Sequence, residues 1–257
     1  MDILTRENLW GYKKRLEFVH EQLQRRFGAR PAASIHILDV GCGNGSMLTI
    51  PLARLGYTMI GLDPHEPSIR KARTLAGTLP VSFFCTTLAS FDPARRFDCV
   101  LCAEVLEHLD APEACLRDAT ARLAPGGLLI LSVPNGYGPF EIDSFIYYGL
   151  RLDRFLAKLR RWLGRQPPQE EIAGTENISC RHRQFFTGAR LRRLFAACGL
   201  RIVARGTASL FCGPFSAHTL GHWPRLFAWN ARVSDFLPAC LQSAWYFALE
   251  KIPSHGV

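Results

Sequence analysis

Residues Ile37-Leu38-Asp39-Val40-Gly41-Cys42-Gly43-Asn44-Gly45 decide how this chain folds. The run Ile35–Val40 reads as a strand, and it empties into three glycines placed at every second position. Glycine has no Cβ, so backbone in such a turn can approach a ligand closely. Ser46–Leu55 then reads as a helix, with Pro51 an awkward interior member. Tyr57–Leu62 is a second strand, and Asp63 ends it, twenty residues after Gly43. A carboxylate at that place can accept hydrogen bonds from ribose hydroxyls. In the bland alternative Asp63 only starts a turn with Pro64.

A glycine turn after a strand is shared by several nucleotide-binding folds, so its details matter. Ser46 stands where a dinucleotide fingerprint has glycine or alanine. Asp39 lies within the strand, just before the turn. A carboxylate there suits a cationic amino group and repels a pyrophosphate.

The alternation continues outward in both directions. Upstream, Leu9, Tyr12, Leu16, Val19, Leu23 and Phe27 recur at helical spacing over residues 8–27, and Gly28 and Pro31 end the pattern. Downstream, Pro67–Ala76 is a helix, Val81–Cys85 a strand, Phe97–Ala103 a strand, Ala111–Leu123 a helix and Gly127–Val133 a strand. Strands alternating with helices predict a parallel sheet covered on both faces. Ligands of such sheets sit beyond the carboxyl ends of the strands.

With these motifs in place, the chain resembles the class I S-adenosylmethionine (SAM)-dependent methyltransferases. Ile37–Gly45 is similar to their first motif and Ile60–Asp63 to their second. Phe97-Asp98-Cys99-Val100 with Glu104-Val105-Leu106-Glu107-His108 resembles the fourth-strand region of the subfamily that includes ubiquinone-biosynthesis O-methyltransferases. Leu123-Ala124-Pro125-Gly126-Gly127 and Ser132-Val133-Pro134-Asn135 resemble the borders of its fifth strand. Five motifs occur in order over residues 35–135.

The resemblance implies an α/β fold: a Rossmann-like, seven-stranded, mostly parallel sheet with helices on both faces, plus a C-terminal aromatic-rich insert. It implies SAM as cofactor. Gly41, Cys42, Gly43 and Gly45 would contact the methionine part together with Asp39, and Asp63 with Pro64 would hold the ribose. Thr87 and Leu88 would flank the adenine, where many relatives have an aspartate. Ala103 and Glu104 would lie near the methionine end. His108 follows the fourth strand on the ligand side, and its ordinary pKa near 6.5 suits a base that takes a proton from a hydroxyl acceptor. Packing of a loop is the other reading of that histidine. Glu104 and Glu107 are expected to position ligand or loop.

The chain has 257 residues and a net charge of +9. Residues 1–140 hold 15 Lys/Arg against 14 Asp/Glu, whereas residues 141–257 hold 16 against 8. The excess therefore sits in the C-terminal part. Such a surface suits phosphate, anionic lipid or nucleic acid. Phe145, Tyr148, Leu152, Phe155, Leu159 and Trp162 recur every three or four residues among Arg151, Arg154, Lys158, Arg161 and Arg165. This basic helical pattern over residues 144–163 fits a lid packed over the site or an element lying on a membrane surface. Thr187–Cys198 reads as a helix capped by Thr187 and ended by Gly199. Leu200–Ala204 is strand-like, and Ala244–Leu249 suits a last antiparallel strand.

Nine cysteines, an odd count placed mostly in apolar runs, read as free thiols of a reducing compartment. Cys99-x-x-Cys102 has no second pair, and His218 and His222 lack neighbouring carboxylates, so no metal site is expected. No signal peptide and no membrane span is expected, which gives a cytoplasmic protein with peripheral membrane contact as an option. The organisation expected is a helix over 1–34 covering the cofactor site, a SAM-binding core over 35–140, and acceptor-binding and final sheet elements over 141–257. The acceptor expected is a small or lipid-linked molecule. The alternatives are a nucleic-acid methyltransferase, disfavoured because no Asn-Pro-Pro-aromatic motif occurs, and a non-catalytic, membrane-associated partner protein that keeps the fold.

Overall fold

The computed structural model describes residues 11–152, 154, 158, 162, 183–213, 216 and 224–252. Seven strands form one sheet: β1 (His36–Val40), β2 (Thr58–Asp63), β3 (Val81–Cys85), β4 (Phe97–Ala103), β5 (Leu123–Pro134), β6 (Leu200–Thr207) and β7 (Ala244–Lys251). Their order across the sheet is β3-β2-β1-β4-β5-β7-β6. The first five run parallel, and β7 is antiparallel to both β5 and β6. The Rossmann-like, mostly parallel sheet expected from the sequence is thus the architecture.

Successive side chains of a strand point to opposite faces, which divides the core in two. On one face Leu38, Val40, Val100, Cys102, Leu129 and Leu131 pack with Leu116 of α4 (Pro112–Ala121) and Leu191 and Phe195 of α6 (Gly188–Ala197). On the other, Ile37, Cys99, Leu101 and Ile130 pack with Leu16, Val19 and Leu23 of α1 (Tyr12–Phe27) and Leu52 of α2 (Thr49–Arg54). A third cluster joins Ile69, Ala72 and Ala76 of α3 (Glu66–Ala76) to Phe83 and Cys42. Fully buried parallel strands read as apolar runs for this reason.

Local chemistry sets the element ends. Pro51 falls in the first turn of α2, where a helix has no use for the missing N–H, so it begins the helix and does not break it. Thr187 caps α6 by accepting from the Arg190 N–H, and Gly199 ends it at φ +66°. The helical pattern expected over 144–163 starts earlier: α5 spans Pro139–Gly149, with proline at its preferred N-terminal place. Most of residues 150–163, including Phe155, Leu159 and Arg161, lie outside the described residues, as do Arg165, His182, His218 and His222. The insert before β7 contains α7 (Pro224–Val233). The eight cysteines among the described residues are free thiols. No helix among the described residues is long and apolar enough to cross a membrane.

Candidate functional site

The loops leaving β1, β2 and β4 meet at one end of the sheet. Gly41, Gly43 and Gly45 all have positive φ, at 72°, 55° and 73°. A Cβ on Gly41 would stand 2.5 Å from a methyl of Val105, and one on Gly45 2.8 Å from the Phe83 ring. Both positions therefore need glycine for conformation and for space. The turn is tied to the end of β2: the Gly41 and Cys42 N–H groups donate to the Leu62 carbonyl, and the Gly43 N–H donates to Asp63 Oδ2 at 2.9 Å. Asp63 Oδ1 accepts from the His65 N–H at 2.8 Å. Each oxygen keeps a second lone pair for another donor. Pro64, next in the loop, is exposed.

Asp39 is buried beneath this turn. Its Oδ2 accepts from the Thr49 hydroxyl at 2.6 Å. Burial is the main cause that pushes its carboxyl up to about 7; the Thr49 hydrogen bond opposes this, Asp63 adds to it and Arg15 opposes it. The thiol of Cys42, also buried, is pushed well above the usual range by burial and by Asp39 and Asp63, so it is an inert neutral group.

The end of β4 carries a denser set of charges. Glu104 has φ +55°, rare for a residue with a side chain, and its backbone N–H donates to the Ser132 carbonyl of β5. Its Oε1 accepts from the Ser132 hydroxyl at 2.7 Å and pairs with Arg15 Nη2 at 3.1 Å. Arg15, on α1, is 7% exposed. Its guanidinium lies over the rings of Tyr12 and Tyr246, 5.4 and 5.6 Å from their centroids, and its Nε has no hydrogen-bond partner among the described residues. Ala103, half-buried, precedes this cluster.

Glu107 and His108 lie in the turn that follows. The Glu107 side chain is fully buried, and neither carboxyl oxygen has a hydrogen-bond partner among the described residues. Burial, and after it the neighbouring Glu104, raise its pKa well above the carboxylate range, so it is held as the neutral acid. His108 Nε2 stands 3.8 Å from Glu107 Oε1, and the imidazole is partly exposed. The Glu107 carbonyl accepts from the N–H groups of Arg183 and Gln184, and Arg183 pairs with Asp110, which docks the segment before α6 onto this turn.

Thr87 and Leu88 follow β3 in a separate loop. Thr87 is exposed and its hydroxyl donates to Ser90, while Leu88 is buried. One buried guanidinium holds this loop: Arg122, after α4, donates to the carbonyls of Leu88 at 2.7 Å, Phe91 at 2.9 Å and Asp92. Arg15 and Arg122 were not among the residues expected from the sequence. Arg15 could have been suspected, because it interrupts the buried stripe that includes Leu16, Val19 and Leu23 with a cation.

A family model described as a methyltransferase domain matches residues 12–205. The chain belongs to this methyltransferase-domain family, and its fold and motif order are those expected of the class I SAM-dependent methyltransferases. Within that class it is similar to the ubiquinone biosynthesis O-methyltransferase of Bradyrhizobium sp. (strain ORS 278), with 38% identity over 129 residues, 47% of this chain and 50% of that protein. The chain thus matches about half the length of that curated relative. Among solved structures, a SAM-dependent methyltransferase from Clostridium acetobutylicum superposes with a TM-score of 0.58 at 13% identity, covering 94% of this chain and 92% of that one. The SAM-bound magnesium protoporphyrin IX methyltransferase of Synechocystis PCC 6803 gives 0.54 at 17% identity, covering 97% and 88%. These two likenesses concern the fold.

Proposed function

We propose that this enzyme transfers a methyl group from SAM to a hydroxyl of a small-molecule or lipid-linked acceptor, by in-line displacement. The observation that carries the reading is the similarity to O-methyltransferases named for ubiquinone biosynthesis, over 47% of this chain.

The residues present fit the cofactor. The glycine turn, its glycines held at positive φ and without Cβ atoms, leaves its backbone open to close approach by a ligand. Asp63 retains acceptor capacity for ribose hydroxyls, while its existing bonds fix the Gly43 and His65 amides in place. The buried, partnerless Arg15 Nε suits the methionine carboxylate, and Asp39 suits the amino group beside it. The Thr87–Leu88 loop, with Pro64, takes the adenine and ribose edge, with Thr87 or backbone in place of the aspartate of many relatives. Ala103 and Glu104 border the methionine end. When bound, SAM supplies a methyl group already activated by its sulfonium.

The chain's own work is then to align the acceptor, a contribution of about 7–11 kcal/mol in well-oriented reactions, and to remove its proton. We assign the proton to His108, which is partly exposed at the end of the sheet where the loops converge. Neutral Glu107 beside it does not compete for that proton. The division into a covering helix over 1–34, a cofactor core over 35–140 and an acceptor part over 141–257 belongs to the same reading. So does a peripheral place at an anionic membrane surface, supported by α5, on which Ile142, Phe145 and Tyr148 are exposed.

The test is methyl transfer from radiolabelled SAM into cell extract separated into lipid, small-molecule, polysaccharide, nucleic-acid and protein fractions. Label is expected in the lipid or small-molecule fraction as an alkali-stable methyl ether. Label chiefly in nucleic acid, or none in any fraction, would overturn the proposal.

A further inference from the structure

The opposite end of the sheet carries a second cleft, of about 580 Å³, around the turn Leu123–Gly127 that opens β5. That volume lies within the ~300–1,000 Å³ of small-molecule sites. The seven residues of β5 beyond the cleft, Leu128–Pro134, at about 3.3 Å each, separate it from the cofactor end by on the order of 20 Å.

Four cations from four different elements converge on this cleft: Arg26 of α1, Arg96 of the segment before β4, Arg201 of β6 and Lys251 at the end of β7. The single carboxylate among the lining residues is Glu250. It is committed to Arg201, which grips it through Nε and Nη2, and stands 3.8 Å from Arg26. Arg26 in turn donates to the Gly126 carbonyl at 2.9 Å. Arg96 bonds only backbone carbonyls, those of Pro93 and Arg95, and Lys251 is exposed. The lining therefore carries three more positive charges than negative ones.

Like charges gathered around a concavity repel one another and weaken the empty fold. Two of the cations have structural partners that account for them; Arg96 and Lys251 have no carboxylate partner among the described residues. The concave shape, the charge and the arginine forks match a multiply charged phosphate, because guanidinium groups bind phosphate oxygens with paired, charge-assisted hydrogen bonds. Leu123 and Pro125 add apolar lining that suits a non-phosphate part.

We propose that this cleft binds a small molecule bearing two or more phosphate charges, at a site separate from the cofactor. The reading is independent of which acceptor the enzyme methylates.

Isothermal titration of the full chain, saturated with S-adenosylhomocysteine, with tripolyphosphate and with ATP tests it. A saturable 1:1 heat is expected, weakened by about tenfold or more in R96Q/K251Q, with S-adenosylhomocysteine affinity unchanged. A parallel arm measures flotation with phosphatidylcholine vesicles containing phosphatidic acid. Binding of soluble phosphate and not of vesicles identifies a free ligand. Vesicle binding that is lost in R96Q/K251Q identifies a lipid headgroup as the source of the same phosphate chemistry. Binding of neither probe, or binding that R96Q/K251Q leaves intact while its melting temperature matches wild type, overturns the proposal.

Discussion

At the scale of single residues, the site is governed by two carboxyl groups that burial has altered. Asp39 is held near a pKa of about 7, chiefly by burial. If the cofactor's amino group lies beside it, the ionised form is the one that binds. Below pH 7 a proton must therefore leave as the cofactor arrives, so affinity should rise with pH through neutrality and level off above it. Calorimetry in buffers of different ionisation enthalpy should show net proton release at pH 6.5, and Asp39→Asn should abolish both the release and the pH slope. A flat wild-type profile would remove Asp39 from the cofactor site. Burial, and after it Glu104, push the Glu107 carboxyl well above its ordinary range, which favours the neutral acid beside His108. His108→Ala should lower turnover by about 10²-fold or more, the usual worth of a general base, with little change in cofactor affinity. Turnover within about threefold of wild type would place the base elsewhere. The glycines, Asp63 and His108 were legible because each belongs to a contiguous motif. Arg122 was not, and Arg15 showed only as a cation within an apolar stripe, because a guanidinium's partner, the Leu88 carbonyl in one case and Glu104 in the other, is fixed only when distant elements pack.

At the scale of elements, the loop after β3 is braced by a side chain from outside it. If this loop takes the adenine, as proposed, the contact depends on Thr87 or on loop backbone, and that backbone is held by Arg122 through three carbonyls. Hydrogen bonds to a charged group contribute about 1.5–3 kcal/mol each, which makes this one side chain the main brace of the loop. Arg122→Met should therefore weaken S-adenosylhomocysteine and free adenosine by a similar factor, about tenfold, while Arg122→Lys recovers part of the loss. If adenosine affinity is unchanged in a folded Arg122→Met protein, the loop does not carry the adenine. The first five strands were readable as short apolar runs bounded by turn residues, whose length, more than their period, marks them as strands. β7 was readable too, as Ala244–Leu249, although its antiparallel pairing with β5 joins residues more than a hundred positions apart. The start of α5 was less legible. Pro139 signals a helix N-terminus, but the sequence also offered Phe145–Trp162 as a longer periodic run, and that run hid the earlier start.

At the scale of the whole molecule, charge and exposed aromatic surface lie in the same half of the chain. Residues 141–257 carry twice as many basic as acidic residues. There Phe145 is 76% exposed, Tyr148 61% and Ile142 59%, and Arg151, Arg154 and Lys158 are exposed just beyond them. On α5, Ile142 and Phe145 are three apart, as are Phe145 and Tyr148, so these side chains are neighbours on the helix. A packed lid would bury those rings against the described residues, and they are not buried there. An anionic bilayer would satisfy both features, with the rings entering the interface and each cation near the surface contributing about 1 kcal/mol. Attachment of that strength is reversible, and it would let a lipid-linked acceptor enter from the membrane while a soluble cofactor exchanges from water. Co-sedimentation with vesicles of rising phosphatidylserine content should show binding that increases with anionic lipid and falls with salt, because surface charge is screened within about 10 Å at 0.1 M. Replacing Arg151, Arg154 and Lys158 by Gln should remove the salt-sensitive part, and Phe145→Ala the part that survives high salt. Protein that stays in the supernatant at every lipid composition would leave those exposed rings to a partner other than a membrane.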